Sequence, residues 1–301
     1  MGEVLKNTGA LFAILLLGYL LKRLDILSKD DGSRLSIIIL NVTLPAAVIN
    51  NLATLQIDPK LLILAVLGIL FNLLLIIIGY FSATKKTLPQ QKFLMYSVSG
   101  YNIGNFTIPF TQAFLPAALP LLALFDLGNS VMLAGGTTLA IDALTKDGES
   151  NNFIGVVKKL FGSPTFLTYL IMFGLRYFEI TIPSAVLSVT TIAGGANTFL
   201  SMFMIGLFLD LYLPKDFHQG VVKVLGVRYL TGIVMGLIIV LLPLPQMLTI
   251  VLCLLCVGPM STFGVINSVK AGMAEEAVGF ASSASFLISF LLMTGVLMVF
   301  L

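Results

Sequence analysis

The chain has 301 residues, of which 58% are hydrophobic and 10% are charged, and its formal net charge is +3. A soluble domain needs far more polar surface, and no basic stretch with interleaved aromatic residues is present, so this composition excludes a soluble globular protein and argues against nucleic-acid binding. Cys253 and Cys256 lie in an apolar run without a neighbouring His or acid, so they are expected to be packing residues and no metal site is expected. We therefore expect an all-α integral membrane protein that lies almost wholly in the lipid bilayer.

Apolar segments of about 20 residues, the length that crosses a bilayer, recur along the chain. The first is interpreted as a retained helix, because its positive charges follow the apolar run instead of preceding it as in a signal peptide. The ten predicted membrane spans, numbered 1 to 10, cover residues 7–24, 34–54, 60–82, 92–115, 118–142, 163–180, 184–211, 219–242, 246–270 and 274–300.

Basic residues are distributed unevenly between the two sides of these spans. By the positive-inside rule, the loops after spans 1, 3, 5, 7 and 9 are cytoplasmic, and both chain termini are extracytoplasmic at the plasma membrane. The opposite side holds only Lys6, Lys60 and Arg176, whereas the cytoplasmic side holds Lys22, Arg23, Lys29, Arg34, Lys85, Lys86, Lys92, Lys146, Lys158, Lys159, Lys215, Lys223, Arg228 and Lys270.

The longest polar segment, residues 143–162, is predicted to be a flexible cytoplasmic linker. It separates a first half, residues 1–142 with spans 1–5, from a second half, residues 163–301 with spans 6–10. Because each half has an odd number of spans, the second half enters the membrane from the opposite side. The two halves therefore predict a pair of inverted five-helix repeats, as in many secondary transporters.

Spans 4 and 9 are each interrupted by proline, glycine and polar residues. The interruptions read "NIGNFTIP" with Pro109 and "CVGPMSTFG" with Pro259. The ten residues from Lys92 to Tyr101 form about 15 Å of helix, which is half of a bilayer core about 30 Å thick, so the break is expected at the midplane. Second half-helices are predicted to begin near the two prolines, with free amides at residues 110–113 and 260–263.

Such half-helix starts carry about half a positive charge and bind anions through their free amides. The neighbouring polar side chains can donate hydrogen bonds to a carboxylate, and no basic residue is expected at the same depth. The candidate binding residues at the breaks are Asn102, Asn105, Thr107, Ser261 and Thr262 together with Pro109 and Pro259, and Gly104 is expected to let the crossing chains approach.

Several segments resemble the auxin efflux carrier family in sequence and in order. They are "NVTLPAAVINNLA" at 41–53, "SGYNIGNFTIPF" at 99–110, "ALFDLGNSVML" at 123–133, "MFMIGLFL" at 202–209 and the final thirty residues from "AGMAEEAVGF". The family motif matches at Asn102, Gly104, Pro109, Pro259 and Pro45. The chain departs from it at Asn105 and Thr107, which make the pocket more polar. The short central loop is similar to that of bacterial members.

The resemblance implies broken spans 4 and 9 that cross, and transport of organic acid anions; bacterial members are commonly described as malate or malonate permeases. It implies a scaffold of spans 1, 2, 6 and 7 that forms a homodimer, and a mobile transport domain of spans 3–5 and 8–10. Alternating access would then be an elevator motion of the transport domain. Asn41 and Pro45 of span 2 would face the site from the scaffold.

Asp126 is the acidic residue placed deepest in a predicted span, with Asn129 three positions on and on the same face. It is a candidate for coupling to H⁺ or Na⁺, or else a structural partner for backbone groups freed at the span 4 break. A coupling acid would also suit a cation/proton exchanger, which is the alternative function. An enzyme is not expected, since the sequence has no nucleophile–base pair, metal cluster or phosphate loop, and no cofactor is predicted.

Overall fold

The computed structural model describes residues 2–53, 59–83, 86–147, 153–213 and 215–301. Within these ranges every regular element is a helix, as the composition predicted. Lys85 of the predicted cytoplasmic set and residues 148–152 of the predicted linker lie outside the described residues.

The α-helices are numbered in chain order. They are α1 (Gly2–Arg23), α2 (Lys29–Ile38), α3 (Leu44–Leu52), α4 (Ile63–Ser82), α5 (Leu88–Val98), α6 (Ile108–Gln112), α7 (Leu119–Val131), α8 (Thr137–Thr145), α9 (Phe153–Phe161), α10 (Pro164–Tyr177), α11 (Ser184–Gly195), α12 (Asn197–Phe208), α13 (His218–Val240), α14 (Gln246–Cys256), α15 (Thr262–Lys270) and α16 (Glu275–Phe300). Short π-helical segments, Ile39–Thr43 and Met132–Gly136, join α2 to α3 and α7 to α8, and a third, Ile103–Thr107, leads into α6.

Seven helical stretches among the described residues are long and apolar enough to cross a membrane. They coincide with predicted spans 1, 2, 3, 5, 7, 8 and 10, with ends that differ by a few residues. Their number and length indicate a multi-pass membrane protein. They are Gly2–Arg23, Lys29–Leu52, Lys60–Ser82, Pro116–Thr145, Ser184–Phe208, Lys215–Val240 and Glu275–Phe300.

The remaining three predicted spans are shorter helices. Predicted span 6 corresponds to α10, which has 14 residues. Predicted span 4 is divided into α5 and α6, and predicted span 9 is divided into α14 and α15. Both interruptions that the sequence indicated are therefore real breaks in the helices.

The predicted linker differs from expectation in its second part, because residues 153–161 form helix α9. Val156 and Leu160 lie four residues apart on one face, and both are buried against Leu127, Val131 and Phe166. The basic pair Lys158 and Lys159 points away from this contact and is exposed. A packed amphipathic helix thus stands where the polar composition suggested a flexible segment.

One group of helices packs around α1 and α12. These two helices approach closely because Gly18 and Gly206 have no Cβ; a Cβ at either position would collide with the facing backbone. Helix α3 packs on α10 and α11, and α12 also contacts α2. We call this set, which corresponds to predicted spans 1, 2, 6 and 7, the first group.

The second group contains α4 to α8 and α13 to α16. Helices α4 and α7 cross at Gly68 and Gly128, where again no Cβ would fit. Helix α5 packs on α15, and α13 contacts α5, α14 and α16. The two groups meet where α3 contacts α7 and where α6 contacts α12. The broken helices therefore lie inside the second group, next to its boundary with the first.

Candidate functional site

The first break is a four-residue interruption between α5 and the helix that follows. Ser99 is extended, and Gly100 has φ +72°, a left-handed conformation that glycine adopts without steric cost. The helix resumes at Ile103 as a wide π-helical turn, closed by a hydrogen bond from the Thr107 amide to the Asn102 carbonyl at 3.1 Å. The amides of residues 103–106 lie ahead of this first helical bond and point out of the helix start.

The predicted start of this half-helix near Pro109 is therefore wrong, because the helix begins six residues earlier. Pro109 lies directly after the wide π-helical turn, inside the resumed helix, and its carbonyl accepts a hydrogen bond from Thr198 Oγ1 at 3.2 Å. Residues 110–113, which were expected to offer free amides, are beyond the start of the helix. The anion-binding end is formed by residues 103–106 instead.

The second break separates α14 from α15, and Ser261 caps the start of α15. Ser261 Oγ accepts a hydrogen bond from the Gly264 amide at 3.0 Å. Of the amides expected at residues 260–263, that of Met260 already donates to Ser285 Oγ at 2.9 Å. The amides of Thr262 and Phe263 lie in the first turn of the helix, ahead of its first backbone hydrogen bond.

The two breaks touch each other through Asn102. Its amide donates to the Pro259 carbonyl at 3.0 Å, and its Nδ2 approaches Thr262 Oγ1 at 3.5 Å. Gly100 permits this approach, since a Cβ there would lie 2.6 Å from Ser261 Oγ. Gly104 was expected to play that part and does not: a Cβ on Gly104 would meet Leu44 Cδ2 at 2.8 Å, so it faces α3 of the first group.

A cavity of about 350 Å³ lies beside this crossing, at the boundary of the two groups. The first group contributes Leu40, Asn41, Leu44, Ser163, Pro164 and Thr165 to its wall. The second group contributes Tyr101, Asn102, Ile103, Gly104, Asn105, Asp126, Ser130, Leu133, Ser261, Thr262 and Phe263.

The structure brings seven of the predicted site residues together in this wall and leaves five outside it. Those in the wall are Asn41, Asn102, Gly104, Asn105, Ser261, Thr262 and Asp126. Those outside it are Pro45, Thr107, Pro109, Pro259 and Asn129. Thr107 and Pro259 act on the backbone of the crossing, because Thr107 Oγ1 donates to the Asn102 carbonyl at 3.4 Å and the Pro259 carbonyl accepts from Asn102.

Asp126 is buried and is held by two donors from different elements. Its Oδ1 accepts from Asn129 Nδ2 at 2.9 Å, and its Oδ2 accepts from the hydroxyl of Tyr169 in α10 at 2.9 Å. Tyr169 is fully buried and was missed at the sequence level. A buried Tyr usually finds a polar partner, so its position in an apolar span was the available signal.

Asn129 and Asn72 satisfy the backbone groups that the first break leaves open. Asn129 Nδ2 donates to the Tyr101 carbonyl at 3.1 Å, and Asn129 Oδ1 accepts from the Tyr101 amide at 3.3 Å. Asn72 Oδ1 accepts from the Gly100 amide at 2.8 Å. Asn72 was also missed, although an Asn inside the apolar span 3 indicates a buried polar contact. Asn129 thus performs the structural role that was one of the two considered for Asp126.

Arg228 corrects a further expectation. It was assigned to the cytoplasmic loops, and no basic residue was expected near the breaks. In the structure Arg228 lies within α13, 2% exposed, and it donates to the carbonyls of Val98 and Gly258 at 2.7 and 2.8 Å. The reason is that each half-helix ends with unpaired carbonyls, which the five guanidinium donors can satisfy inside the protein.

The wall of the cavity contains two half-helix starts and few charged side chains. Among the described residues of its wall, Asp126 is the one charged side chain. Asn105 Oδ1 is buried and has no hydrogen-bond partner in the part of the chain that the structure describes. An amide side chain can present either its oxygen or its NH₂ group, so Asn105 is available to a polar ligand.

The membrane transport protein family, which comprises the auxin efflux carriers, matches residues 4–141 of this chain. No curated protein matches the chain significantly. The matched segment includes the first break, Asn41, Asn102, Asn105 and Asp126, and it extends through most of α8. Residues 4–141 of this chain thus match the membrane transport protein family, that of the auxin efflux carriers, as their motifs predicted.

Proposed function

We propose that the protein is a secondary transporter that moves a small organic acid anion across the plasma membrane. The observation that carries this proposal is the cavity of about 350 Å³ beside two half-helix starts. The amides of residues 103–106 and of Thr262 and Phe263 belong to those starts. They offer partial positive charge to a carboxylate without the desolvation cost of a buried Lys or Arg in the wall.

The side chains of the wall suit the same ligand. Asn102, Asn105 and Thr262 offer neutral hydrogen-bonding groups close to the helix starts. Leu40, Leu44 and Leu133 supply an apolar surface for the rest of a small organic molecule. This mixture favours an organic anion over a strongly hydrated inorganic one, and the family match supports a transport role.

The packing supports an elevator form of alternating access. Both groups of helices line the cavity, so a movement of the second group along the first would carry the bound anion with it. We assign the first group as the scaffold and the second as the transport domain, within two inverted five-helix repeats and ten spans. The repeat is supported by the presence of one broken helix in each half, with side chains that satisfy the backbone of each break. Asn72 and Asn129 do so at the first break, and Arg228 and Ser285 at the second.

By its family resemblance the protein is proposed to be a homodimer, and by the positive-inside rule its termini are proposed to be extracytoplasmic. Asp126 is the candidate for coupling transport to H⁺ or Na⁺, since a carboxylate in the wall can bind a cation together with the substrate. The same observation supports a second candidate function, a cation/proton exchanger, in which Asp126 would bind the transported ion. Catalysis is not proposed, because transport needs no reacting group.

Uptake by proteoliposomes tests the proposal. The purified chain is reconstituted and offered a panel of labelled mono- and dicarboxylates, with and without pH and sodium gradients. We expect saturable uptake of at least one small carboxylate. Absence of carboxylate uptake together with clear cation exchange would establish the second candidate function instead.

Asn102→Ala tests the position of the site. We expect the Kd of the transported carboxylate to rise roughly ten- to a hundredfold, because a hydrogen bond to a charged group contributes about 1.5–3 kcal/mol. Binding to detergent-purified protein is measured by calorimetry. Asn267→Ala is the matched control, since Asn267 lies in α15, outside the cavity wall, and its Nδ2 donates to the Phe263 carbonyl within its own helix. Unchanged binding by Asn102→Ala would place the site elsewhere.

A further inference from the structure

The Arg228 guanidinium lies at the ends of both first half-helices, α5 and α14. On the α5 side, Nη1 donates to the carbonyls of Val98 and Ser97 at 2.7 and 3.2 Å. On the α14 side, Nη2 and Nε donate to the carbonyl of Gly258 at 2.8 and 3.2 Å. One side chain therefore joins the ends of two helices, although Arg228 follows Val98 by 130 residues and precedes Gly258 by 30 residues in the chain.

The charges at this point balance without a carboxylate. Each half-helix has 11 residues, and each helix C-terminus carries about half a negative charge. Two such ends sum to about one negative charge, which the guanidinium neutralises. Among the described residues, no acidic side chain forms an ion pair with Arg228, and the ring of Tyr101 lies 5.4 Å from its Cζ. Helix ends and an aromatic face thus replace a counter-ion.

This arrangement also sets the geometry of the cavity. Gly258 precedes Pro259, whose carbonyl accepts the amide of Asn102, and Val98 precedes the break that ends at Asn102. Arg228 therefore anchors the chain on both sides of the contact that places Asn102. In transporters with broken helices, half-helix C-terminal carbonyls are the groups that coordinate a coupling cation. Here a side chain already occupies them.

We propose that Arg228 is a built-in cation of the helix crossing. It binds α5 and α14 into one rigid unit, positions Asn102 for the ligand, and removes the need for a metal cation at the half-helix ends. The statement about Asn102 rests on the proposed function, whereas the statement about the crossing does not.

Thermal unfolding of the detergent-purified chain tests the crossing without any substrate. We expect Arg228→Ala to melt several degrees below the wild type, because the carbonyls of Val98 and Gly258 lose their donors in a buried place. Guanidinium chloride at low millimolar concentration should restore part of this loss by entering the vacated space. Arg34→Ala is the matched control: Arg34 has an 80% exposed side chain, so neither the substitution nor guanidinium should shift the melting temperature.

Two further variants keep the test decisive if Arg228→Ala does not fold. Arg228→Lys retains the charge and Arg228→Gln does not, so we expect the Lys variant to melt above the Gln variant and below the wild type.

In uptake assays the Lys variant should show a raised KM, because Asn102 is less well placed. Equal melting of the wild type, Lys and Gln variants would overturn the proposal. If the melting results hold but no carboxylate is taken up by the wild type, the proposed function fails and the role of Arg228 at the crossing stands.

Discussion

Two asparagines repair the backbone of the first break. A buried backbone group without a partner costs several kcal/mol in hydrocarbon, and water is not there to satisfy it. Asn129 satisfies both the amide and the carbonyl of Tyr101, because its side chain carries a donor and an acceptor. Asn72 accepts from the amide of Gly100. Asn72 and Asn129 are therefore needed by the broken helix, and Asp126 in turn accepts a hydrogen bond from Asn129.

Asp126→Asn separates the two roles considered for this residue. The amide has the same shape and cannot bind a proton or sodium ion as a carboxylate does. We expect uptake to lose its dependence on the pH or sodium gradient, while the melting temperature stays close to that of the wild type. The measurement is uptake into proteoliposomes with and without each gradient, alongside a thermal melt. A variant that melts lower and keeps its gradient dependence would show that Asp126 serves only to hold Asn129 and Tyr169.

At the scale of elements, glycine sets the position of the first break and proline follows it. Gly100 has a left-handed conformation and lies against Ser261, so the chain can leave α5 and cross the second break. Pro109 stands nine residues later, in a helix that has already resumed. The sequence therefore located the broken segment correctly and misplaced its helix start, because the proline was taken to mark the residue at which the helix resumes, whereas it stands after the π-helical turn of that helix.

Gly100→Ala should disrupt the crossing. A left-handed alanine costs about 1–2 kcal/mol and a displaced Ser261 cap about 1 kcal/mol, so we expect a loss of about 2–3 kcal/mol, seen as a lower melting temperature in detergent. Gly236→Ala is the control, because a Cβ on Gly236 of α13 has no neighbour within 4 Å. Equal melting of the two variants would mean that the contact between Gly100 and Ser261 does not support the fold.

At the scale of the whole molecule, the cavity lies between two groups of helices that each pack mainly within themselves. Gly104 of the second group faces Leu44 of the first, and this contact lies in the cavity wall. Any movement of the second group relative to the first has to separate these two positions. They are therefore a direct probe of the proposed elevator motion.

A disulfide between Gly104→Cys and Leu44→Cys should stop transport. The native Cys253 and Cys256 are replaced by alanine, and both single variants serve as controls. A Cβ on Gly104 lies 2.8 Å from Leu44 Cδ2, so two cysteines here are close enough to be joined by an oxidant. We expect oxidation to abolish uptake by the double variant and a reductant to restore it. Full uptake by the oxidised double variant would rule out relative movement of the two groups during transport.

The sequence by itself determined that the protein is helical, lies in the membrane and breaks two of its spans. A membrane span must be a long apolar run, because a polar group in hydrocarbon costs free energy. Asn102, Ser261 and Asp126 therefore stand out within the apolar runs of the sequence. Only the tertiary structure decided which residues meet. Arg228 was assigned to a cytoplasmic loop because the positive-inside rule uses only the position of a charge along the chain. In the structure its guanidinium donates to carbonyls at the ends of two distant helices. The contact between Tyr169 and Asp126, which are 43 residues apart in the chain, was missed in the same way. Partners brought together by packing leave no local pattern in the sequence.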